Sequence, residues 1–249
     1  MHLASLLKHG IKVLAVVIGL VFVGALDLFM LLFTKKILVW FVRKVYNKLR
    51  VLHYKRRLRL ARDLGNTKEW AALLRNIARI YDNEGELDKA LSYYEKFLNL
   101  TTNEKEKAAT YNIIALIYNK KHDYQKAAEY FHKAIEISEK YGDYHSASIS
   151  KLNLGETYRK MEDYENAEKY LSEGIEGTKK VGNKYWEAIG YERLAWLYIF
   201  EGIHKGINKG YKQMAKENFK RAYDLYESIG AEENVRDVLR GMHHLDKLN

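Results

Sequence analysis

The sequence contains no cysteine and no proline among its 249 residues. The absence of cysteine excludes disulfide frameworks, thiolate zinc sites, iron–sulfur clusters and cysteine nucleophiles. The absence of proline means that Gly, Asn and Asp must make the turns between helices. With 47% hydrophobic residues and 20 Tyr, the chain predicts an almost uninterrupted series of helices around a substantial core. This composition would also suit a thermophile.

Acidic residues are almost missing from the N-terminal quarter of the chain. Residues 1–62 carry 13 Lys and Arg against one acidic residue, Asp27, whereas residues 63–249 carry 29 basic and 31 acidic residues. The net charge of +10 therefore comes from one basic segment. A globular domain specialised for nucleic acid is not indicated, because the bulk of the chain is nearly neutral.

A long apolar run lies within this basic quarter. Residues 13–33 include one charged residue, Asp27, and as a helix they would extend about 31 Å, close to the hydrocarbon thickness of about 30 Å. A transmembrane helix is predicted. A cleaved signal peptide is the alternative, since Val23-Gly24-Ala25 resembles a cleavage site. Asp27 either contacts a membrane partner or lies hydrated toward the interface.

The distribution of basic residues predicts the orientation of this helix. Lys8 and Lys12 precede it, whereas six Lys and Arg follow within about twenty residues, so residues 1–12 should lie outside and the body in the cytoplasm. Residues 34–64 then form a basic interfacial helix and half repeat. The residues expected to contact the membrane or anionic lipid are Asp27, Lys35, Lys36, Trp40, Arg43, Lys44, Lys55, Arg56, Arg57 and Arg59.

The rest of the chain repeats with a period near 40. Each copy has a tyrosine, an alanine nine residues later and a large residue four positions further. The copies are Tyr81, Ala90 and Tyr94; Tyr118, Ala127 and Phe131; and Tyr158, Ala167 and Leu171. A second marker, a glycine followed by a small or polar residue, recurs at Gly65, Gly142, Gly182 and Gly230. Glycine in this position ends one helix and leads into the next.

The two markers together indicate hairpins of two helices. Small residues on helix A face an alanine on helix B in each copy, at Ala78 and Ala90, Ala115 and Ala127, Gly155 and Ala167, and Ala195 and Ala215. Because one hairpin cannot cover its own apolar face, several must stack. The pattern resembles the tetratricopeptide repeat, in its variant of about forty residues, over residues 66–230.

This resemblance implies an all-α fold. After the transmembrane helix we expect a right-handed α-α superhelical solenoid of about four hairpins, with residues 231–249 as a capping helix. The fourth repeat departs from the pattern, because about eight extra residues separate its helices. The insert, residues 202–210, is expected to form an exposed, mobile loop.

No catalytic or metal-binding pattern is found in the sequence. It has no glycine-rich phosphate loop, no nucleophile elbow and no acid–base pair on a recognisable framework. His243 and His244 are adjacent, so a helix would point them about 100° apart rather than at one metal. The prediction is a protein that is not an enzyme and has no cofactor.

The resemblance implies binding instead, in a concave groove lined by the A helices. The residues predicted for this groove are Arg75, Asn76, Arg79, Asp82, Asn83, Asn112, Leu116, Asn119, Lys120, Leu152, Asn153, Glu156, Arg159, Lys160, Glu192, Arg193, Trp196, Ile199 and Phe200. One end is cationic and rich in amides, and the other is aromatic. Such a lining suits an extended peptide or a partner helix.

Some members of the family hold a C-terminal carboxylate in a clamp of Lys and Asn residues. Arg75, Arg79 and Asn153 stand at clamp positions, but Ile113 and Ile149 replace polar residues at others. The carboxylate clamp is therefore not supported.

The leading hypothesis is a single-pass membrane protein whose cytoplasmic repeats recruit or scaffold a protein partner. A second hypothesis gives the binding role to the basic arm at residues 43–62, which would contact anionic lipid or, less favourably, RNA. A third makes the chain an assembly subunit of a larger membrane complex. The sequence alone leaves these three open.

The anchor yields a first testable prediction. Protease added to intact cells should spare everything beyond Lys35, because the body is expected on the cytoplasmic side. Immunoblotting of the repeat region after digestion measures this. Digestion of the repeats would overturn the orientation, and a purified chain beginning at Leu26 would establish cleavage.

Overall fold

The computed structural model describes residues 28–206 and 209–248. The predicted segment 1–12, Asp27 and most of the predicted span 13–33 lie outside these residues. In the described part of the chain, no helix combines the length and the apolar composition that crossing a membrane requires. The transmembrane helix therefore stays a prediction.

The described residues form ten α-helices and no strand, which confirms the all-helical class. The helices are α1 (Leu28–Asp63), α2 (Thr67–Asn83), α3 (Leu87–Leu98), α4 (Glu104–Lys120), α5 (Tyr124–Lys140), α6 (Tyr144–Lys160), α7 (Tyr164–Lys180), α8 (Lys184–Lys205), α9 (Lys209–Ser228) and α10 (Glu232–Lys247).

The helix boundaries follow from local signals that replace proline. The side chains of Asn66, Asp123, Asp143, Asp163 and Asn183 each accept a hydrogen bond from the backbone N–H three residues later, which caps the next helix. A residue with positive φ precedes each of these caps. It is glycine at positions 65, 142 and 182 but His122 (φ 60°) and Glu162 (φ 61°) at the turns inside two hairpins.

The repeats stack in sequence order between Tyr54 and the C-terminus. Helices α2 and α3, α4 and α5, α6 and α7, and α8 and α9 form hairpins, and α6 also contacts α4 on one side and α8 on the other. One cluster of buried residues joins Ala78, Ala90 and Tyr94 of the first hairpin to Ile114 and Ile117 of the second. The core is therefore shared between neighbouring repeats, as the solenoid prediction requires.

The paired helices approach each other closely because small residues lie where they cross. Ala90, Ala127, Ala167 and Ala215 are fully buried where they meet the A helices, and Phe131 fills the space beside one of them. A larger side chain at these crossings would separate the helices.

The chain divides into two units between His53 and Tyr54. Residues 54–63 of α1 belong to the second unit, where Leu58 packs against Ala71, Leu74 and Phe97. The Arg57 guanidinium also pairs with Glu69, with Nε 3.2 Å from Oε1. The end of α1 thus covers the outer side of the first hairpin.

The last hairpin differs from the prediction in its connection. Residues 202–205 are helical, because α8 continues to Lys205, where the ammonium group pairs with Glu201 at 2.7 Å. Gly202 is buried, and α8 ends at Gly206, which has φ 93°. The prediction of an exposed loop from Gly202 to Gly210 is therefore wrong for its first half, since the extra residues lengthen helices instead. Residues 207–208 lie outside the described chain.

Helix α10 packs on the last hairpin through buried Val238 and Leu245. Gly241 of this helix lies against two rings, because a Cβ there would stand 2.7 Å from Cζ of Phe219 and 3.3 Å from Cζ2 of Trp196. The absence of a side chain at 241 thus allows α10 to approach the aromatic end of the stack.

The third hairpin provides a test of this packing. A Cβ at Gly155 would lie 2.9 Å from the backbone nitrogen of Leu171 and 3.0 Å from the carbonyl oxygen of Ala167. Gly155→Ala should lower the free energy of unfolding by about 1–3 kcal/mol, although the same change in an exposed helix raises it by about 1 kcal/mol. Urea unfolding followed by circular dichroism measures the difference.

The control for this variant is Glu162→Gly in the turn that follows. Because Glu162 has positive φ, glycine should leave the free energy of unfolding unchanged or raise it by up to about 1 kcal/mol. A stabilised Gly155→Ala variant would show that the two helices are not in close contact there.

Candidate functional site

The A helices line a groove with a volume of about 640 Å³. Its thirteen lining residues come from α2, α3, α4, α6 and α8 and from one hairpin turn. They are Arg79, Asp82, Asn83, Tyr94, Ile113, Leu116, Asn119, Lys120, His122, Asn153, Glu156, Lys160 and Arg193. The groove thus extends over all four hairpins.

A second cavity of about 450 Å³ adjoins the groove, since the two share Glu156 and Arg193. It adds Arg159, Trp196 and Phe200. The structure therefore brings together most of the residues that the repeat period predicted for the groove.

Side chains about forty residues apart in sequence meet at the base of the groove. The Arg193 guanidinium donates a hydrogen bond from Nη1 to Asn153 Oδ1 at 3.0 Å. Asn153 Nδ2 lies 3.4 Å from Asn112 Oδ1, which also accepts from the Ser150 hydroxyl at 3.1 Å. These contacts link three successive A helices in one polar chain.

Asn119 is left with unused hydrogen-bonding capacity. Its Nδ2 donates to the Thr157 hydroxyl at 2.9 Å. Its Oδ1 is buried and, among the side chains of the described residues, is the one buried polar atom without a partner. An unsatisfied buried acceptor lowers the stability of the folded protein.

The two arginines nearest the aromatic end have different partners. Arg159 makes a bidentate pair with Glu156, at 2.8 and 2.7 Å. Arg193 has an amide partner instead, and burial lowers the pKa of its guanidinium although Glu156 and Glu192 oppose the shift. Of these two arginines, Arg193 therefore has the greater capacity to bind an acidic group.

The aromatic end of the groove also carries a cation, whereas the sequence predicted the cations at the opposite end. The guanidinium of Arg159 lies over the Phe200 ring at 4.3 Å from its centroid. Trp196 meets the Phe219 ring edge-on, with centroids 5.5 Å apart, and lies 6.1 Å from the His244 ring. Trp196 thus packs against α9 and α10 while one side of it lines the cavity.

Several predicted groove residues lie elsewhere. Arg75 is paired with Glu106 at 2.8 Å and lies over the Phe97 ring. Asn76 and Asn112 are half-buried but do not line the cavity. Leu152 and Ile199 are core residues.

Three lining residues were not among the predicted set. Tyr94 comes from a B helix, and burial raises the pKa of its hydroxyl to about 12. Ile113 replaces a polar residue of the clamp pattern, and His122 reaches the groove from a turn with positive φ. In the sequence, His122 stands at a turn position where the first hairpin has glycine. This difference was the one signal that could have pointed to His122.

The predicted basic arm is partly used inside the protein. The ammonium group of Lys55 lies 6.0 Å from the centroids of both Tyr81 and Tyr93, and Arg57 is paired with Glu69. Arg56 and Arg59 are exposed. Trp40, Arg43 and Lys44 are exposed too, and Lys44 lies 4.8 Å from the Trp40 ring centroid. For Lys35 and Lys36 the structure describes the helical backbone alone.

No group of three or more His, Asp or Glu in residues 28–206 and 209–248 is arranged to hold a metal ion. The groove itself offers amides, cations, aromatic rings, the carboxylates of Asp82 and Glu156 and the imidazole of His122.

Comparisons with known proteins concern the repeats. Residues 73–108 and 106–180 match family profiles described as tetratricopeptide repeat. No curated protein matches the chain.

Similar solved structures include BtubC (BKLC) from P. vanneervenii, with 19% identity and a TM-score of 0.54, covering 82% of this chain and 93% of that one. A protein of Podosopora anserina described as a kinesin light chain with nearly identical TPR-like repeats has 16% identity and a TM-score of 0.58, covering 76% and 93%. MamA has 20% identity and a TM-score of 0.52, covering 73% and 89%. At these identities the similarity shows the fold alone.

Glu192, which precedes Arg193 in the sequence, gives a prediction of pH dependence. Burial and Asp237 raise the pKa of this carboxyl, against the hydrogen bond that the Tyr226 hydroxyl donates to it at 3.0 Å. A raised carboxyl pKa in the folded state means that the folded protein holds the proton longer, so stability falls as pH rises above about 4.3, the unfolded value. Glu192→Gln should remove that fall and stabilise the protein at pH 7.

Urea unfolding at pH 4, 5.5 and 7 measures this effect. Glu176→Gln is the control, because Lys180 lowers the pKa of Glu176 and its replacement should produce no gain at pH 7. A Glu192→Gln variant with the pH profile of the wild type would contradict the assignment.

Proposed function

We propose that this chain, whose repeats are tetratricopeptide repeats, is a membrane-anchored adaptor that binds an extended segment of a partner protein in its groove. The observation that carries the proposal is Arg193, which lines both cavities and donates its hydrogen bond to the neutral Asn153 rather than to a carboxylate. The exposed amide of Asn83 in the same groove is a suitable partner for the backbone of an extended peptide.

The charge pattern of the groove supports an acidic partner segment. Glu156 already neutralises Arg159 through two hydrogen bonds. Arg193 donates to the neutral Asn153 and lines both cavities. A carboxylate bound at Arg193 would form a charge-assisted hydrogen bond in partly desolvated surroundings, where such bonds are strong.

The neighbouring rings support an apolar residue next to that carboxylate. Phe200 is 41% exposed, and the Arg159 guanidinium lies over its ring. The Trp196 ring packs edge-on against the Phe219 ring. A fixed aromatic surface is a common anchor point at protein interfaces. The proposed segment therefore combines an acidic side chain with a neighbouring apolar one.

The membrane part of the proposal depends on residues 13–33 and on the helix that follows. Ten large apolar side chains between Ile37 and Leu52 are 40–60% exposed, which is unusual for a helix in water. Lys44 lies near the Trp40 ring, and Arg50 near the Tyr46 ring, an arrangement suited to the boundary between lipid and water. The excess of Lys and Arg after residue 33 favours a cytoplasmic repeat domain.

Anionic lipid is the second candidate ligand, through the basic arm. Arg56 and Arg59 are exposed, and each cation near an anionic surface contributes about 1 kcal/mol. RNA is less favoured, because Lys55 and Arg57 already have partners within the repeats. If the chain is instead an assembly subunit of a membrane complex, it would bind its partner through the same groove.

Photo-crosslinking tests the groove in the full-length protein. Benzoylphenylalanine replaces Leu116, which lines the groove, and in a matched variant it replaces Glu129, which is exposed on α5 outside the groove. We expect an adduct from position 116 but not from position 129. Arg193→Gln should reduce the adduct about tenfold or more, because a charge-assisted hydrogen bond contributes about 1.5–3 kcal/mol.

The control for this substitution is Arg236→Gln, an exposed arginine on α10, which should leave the adduct unchanged. Thermal melts of all variants establish that the repeats remain folded. Equal adducts from positions 116 and 129 would contradict the groove proposal. An adduct that survives Arg193→Gln but disappears when Arg56 and Arg59 are neutralised would transfer binding to the basic arm.

A further inference from the structure

A separate cavity of about 330 Å³ lies between the end of α1 and the first hairpin, outside the groove. Leu58, Trp70, Leu74 and Leu100 make it apolar inside, and three cations, Arg59, Arg62 and Lys96, line it as well. No carboxylate is among the lining residues. Its size is at the lower end of the range for small-molecule sites, about 300–1,000 Å³.

The other hairpins show why this cavity is open. Leu74 lies four residues before the small crossing residue Ala78, and the equivalent positions are 111, 151 and 191. Tyr111 stacks near Tyr130, with centroids 5.9 Å apart. Tyr191 lies beneath Arg221, 5.4 Å from its guanidinium.

In the third hairpin the equivalent position holds a side chain that forms ion pairs instead of an aromatic ring. There Lys151 joins Glu139 and Glu173 at 2.8 and 2.9 Å. Lys151 thus joins two neighbouring B helices, whereas Tyr111 and Tyr191 each pack against the B helix of their own hairpin. In the first hairpin the equivalent residue is the shorter Leu74, which lines the open cavity.

The cations beside the cavity are available to a ligand. Arg59 forms no hydrogen bond or ion pair with any of the described residues. Arg62 is 61% exposed, and its contact with the adjacent Asp63 is long, at 3.4 Å. Three cations beside an apolar interior, without an acid in the lining, complement a ligand with a negative head and an apolar body.

We propose that this cavity binds a free single-chain amphiphile with an acidic head, such as a fatty acid. The chain lies against Trp70 and Leu74, and the carboxylate lies at Arg59 and Arg62. An acidic peptide fits less well, because Asn99 provides the one amide of the lining, whereas a peptide backbone needs several polar partners. This site uses none of the groove residues, so it does not depend on the proposed peptide binding.

The test uses the full-length protein in nanodiscs of zwitterionic phosphatidylcholine and the probe 11-bromoundecanoate, whose bromine quenches tryptophan fluorescence on contact. The signal is the quenching that the wild type shows in excess of Trp70→Phe, since this difference reports on Trp70. We expect a saturable difference. Arg59→Glu combined with Arg62→Glu should raise the half-saturation concentration at least tenfold, whereas Arg236→Glu combined with Arg240→Glu on α10 should leave it unchanged.

Leu74→Tyr should abolish the saturable quenching, because the larger ring would occupy space that Leu74 leaves open in the cavity. Tyrosine at two equivalent positions indicates that the variant folds, and circular dichroism verifies this. The neutral 11-bromoundecanol should quench without saturation. Equal saturable quenching by the alcohol, displacement of the probe by a peptide of alternating Glu and Leu, or equal affinity in both charge-reversal variants would overturn the proposal.

Discussion

The rest of this structure depends on one constraint: two helices can approach closely only where a small residue lies at their crossing. Ala78 meets Ala90 and Ala115 meets Ala127 with no exposed surface, and Gly155 leaves no room for a methyl group against Leu171. Helices held this close bury large residues such as Phe131 beside the crossing. One hairpin still exposes an apolar face, so the hairpins must stack, and α10 and the end of α1 cover the two outer faces.

Stacking creates the groove because it places residues about forty positions apart within hydrogen-bonding distance. Asn119 meets Thr157 at 2.9 Å, Lys120 meets Asp82 at 2.6 Å, and Arg193 meets Asn153 at 3.0 Å. These contacts satisfy the polar groups only in part, as the free Oδ1 of Asn119 and the desolvated Arg193 show. Incomplete satisfaction costs stability in the isolated protein, and Arg193, which lines both cavities, is the group that a bound acidic segment would use.

Differences between the repeats matter as much as their similarity. The position occupied by Leu74, beside an open cavity, holds the longer side chains of Tyr111, Lys151 and Tyr191 in the later hairpins. The aromatic end is likewise local, because Trp196 packs against Phe219 and α10 while it borders the cavity. A repeating fold therefore has specific surfaces where its side chains depart from the repeat.

The sequence by itself determined the all-helical repeat, because the spacing of small and aromatic residues admits one pairing of helices, and glycine and Asn or Asp mark the turns. It also determined which helix faces line the groove. Only the tertiary structure decided which partner each long side chain meets. Arg75 turns to Glu106, Tyr94 enters the groove from a B helix, and the residues after Gly202 extend α8 instead of forming a loop. The physical reason is that periodicity fixes the direction of a Cβ, whereas a flexible charged or aromatic side chain takes its final position from neighbours about forty residues away.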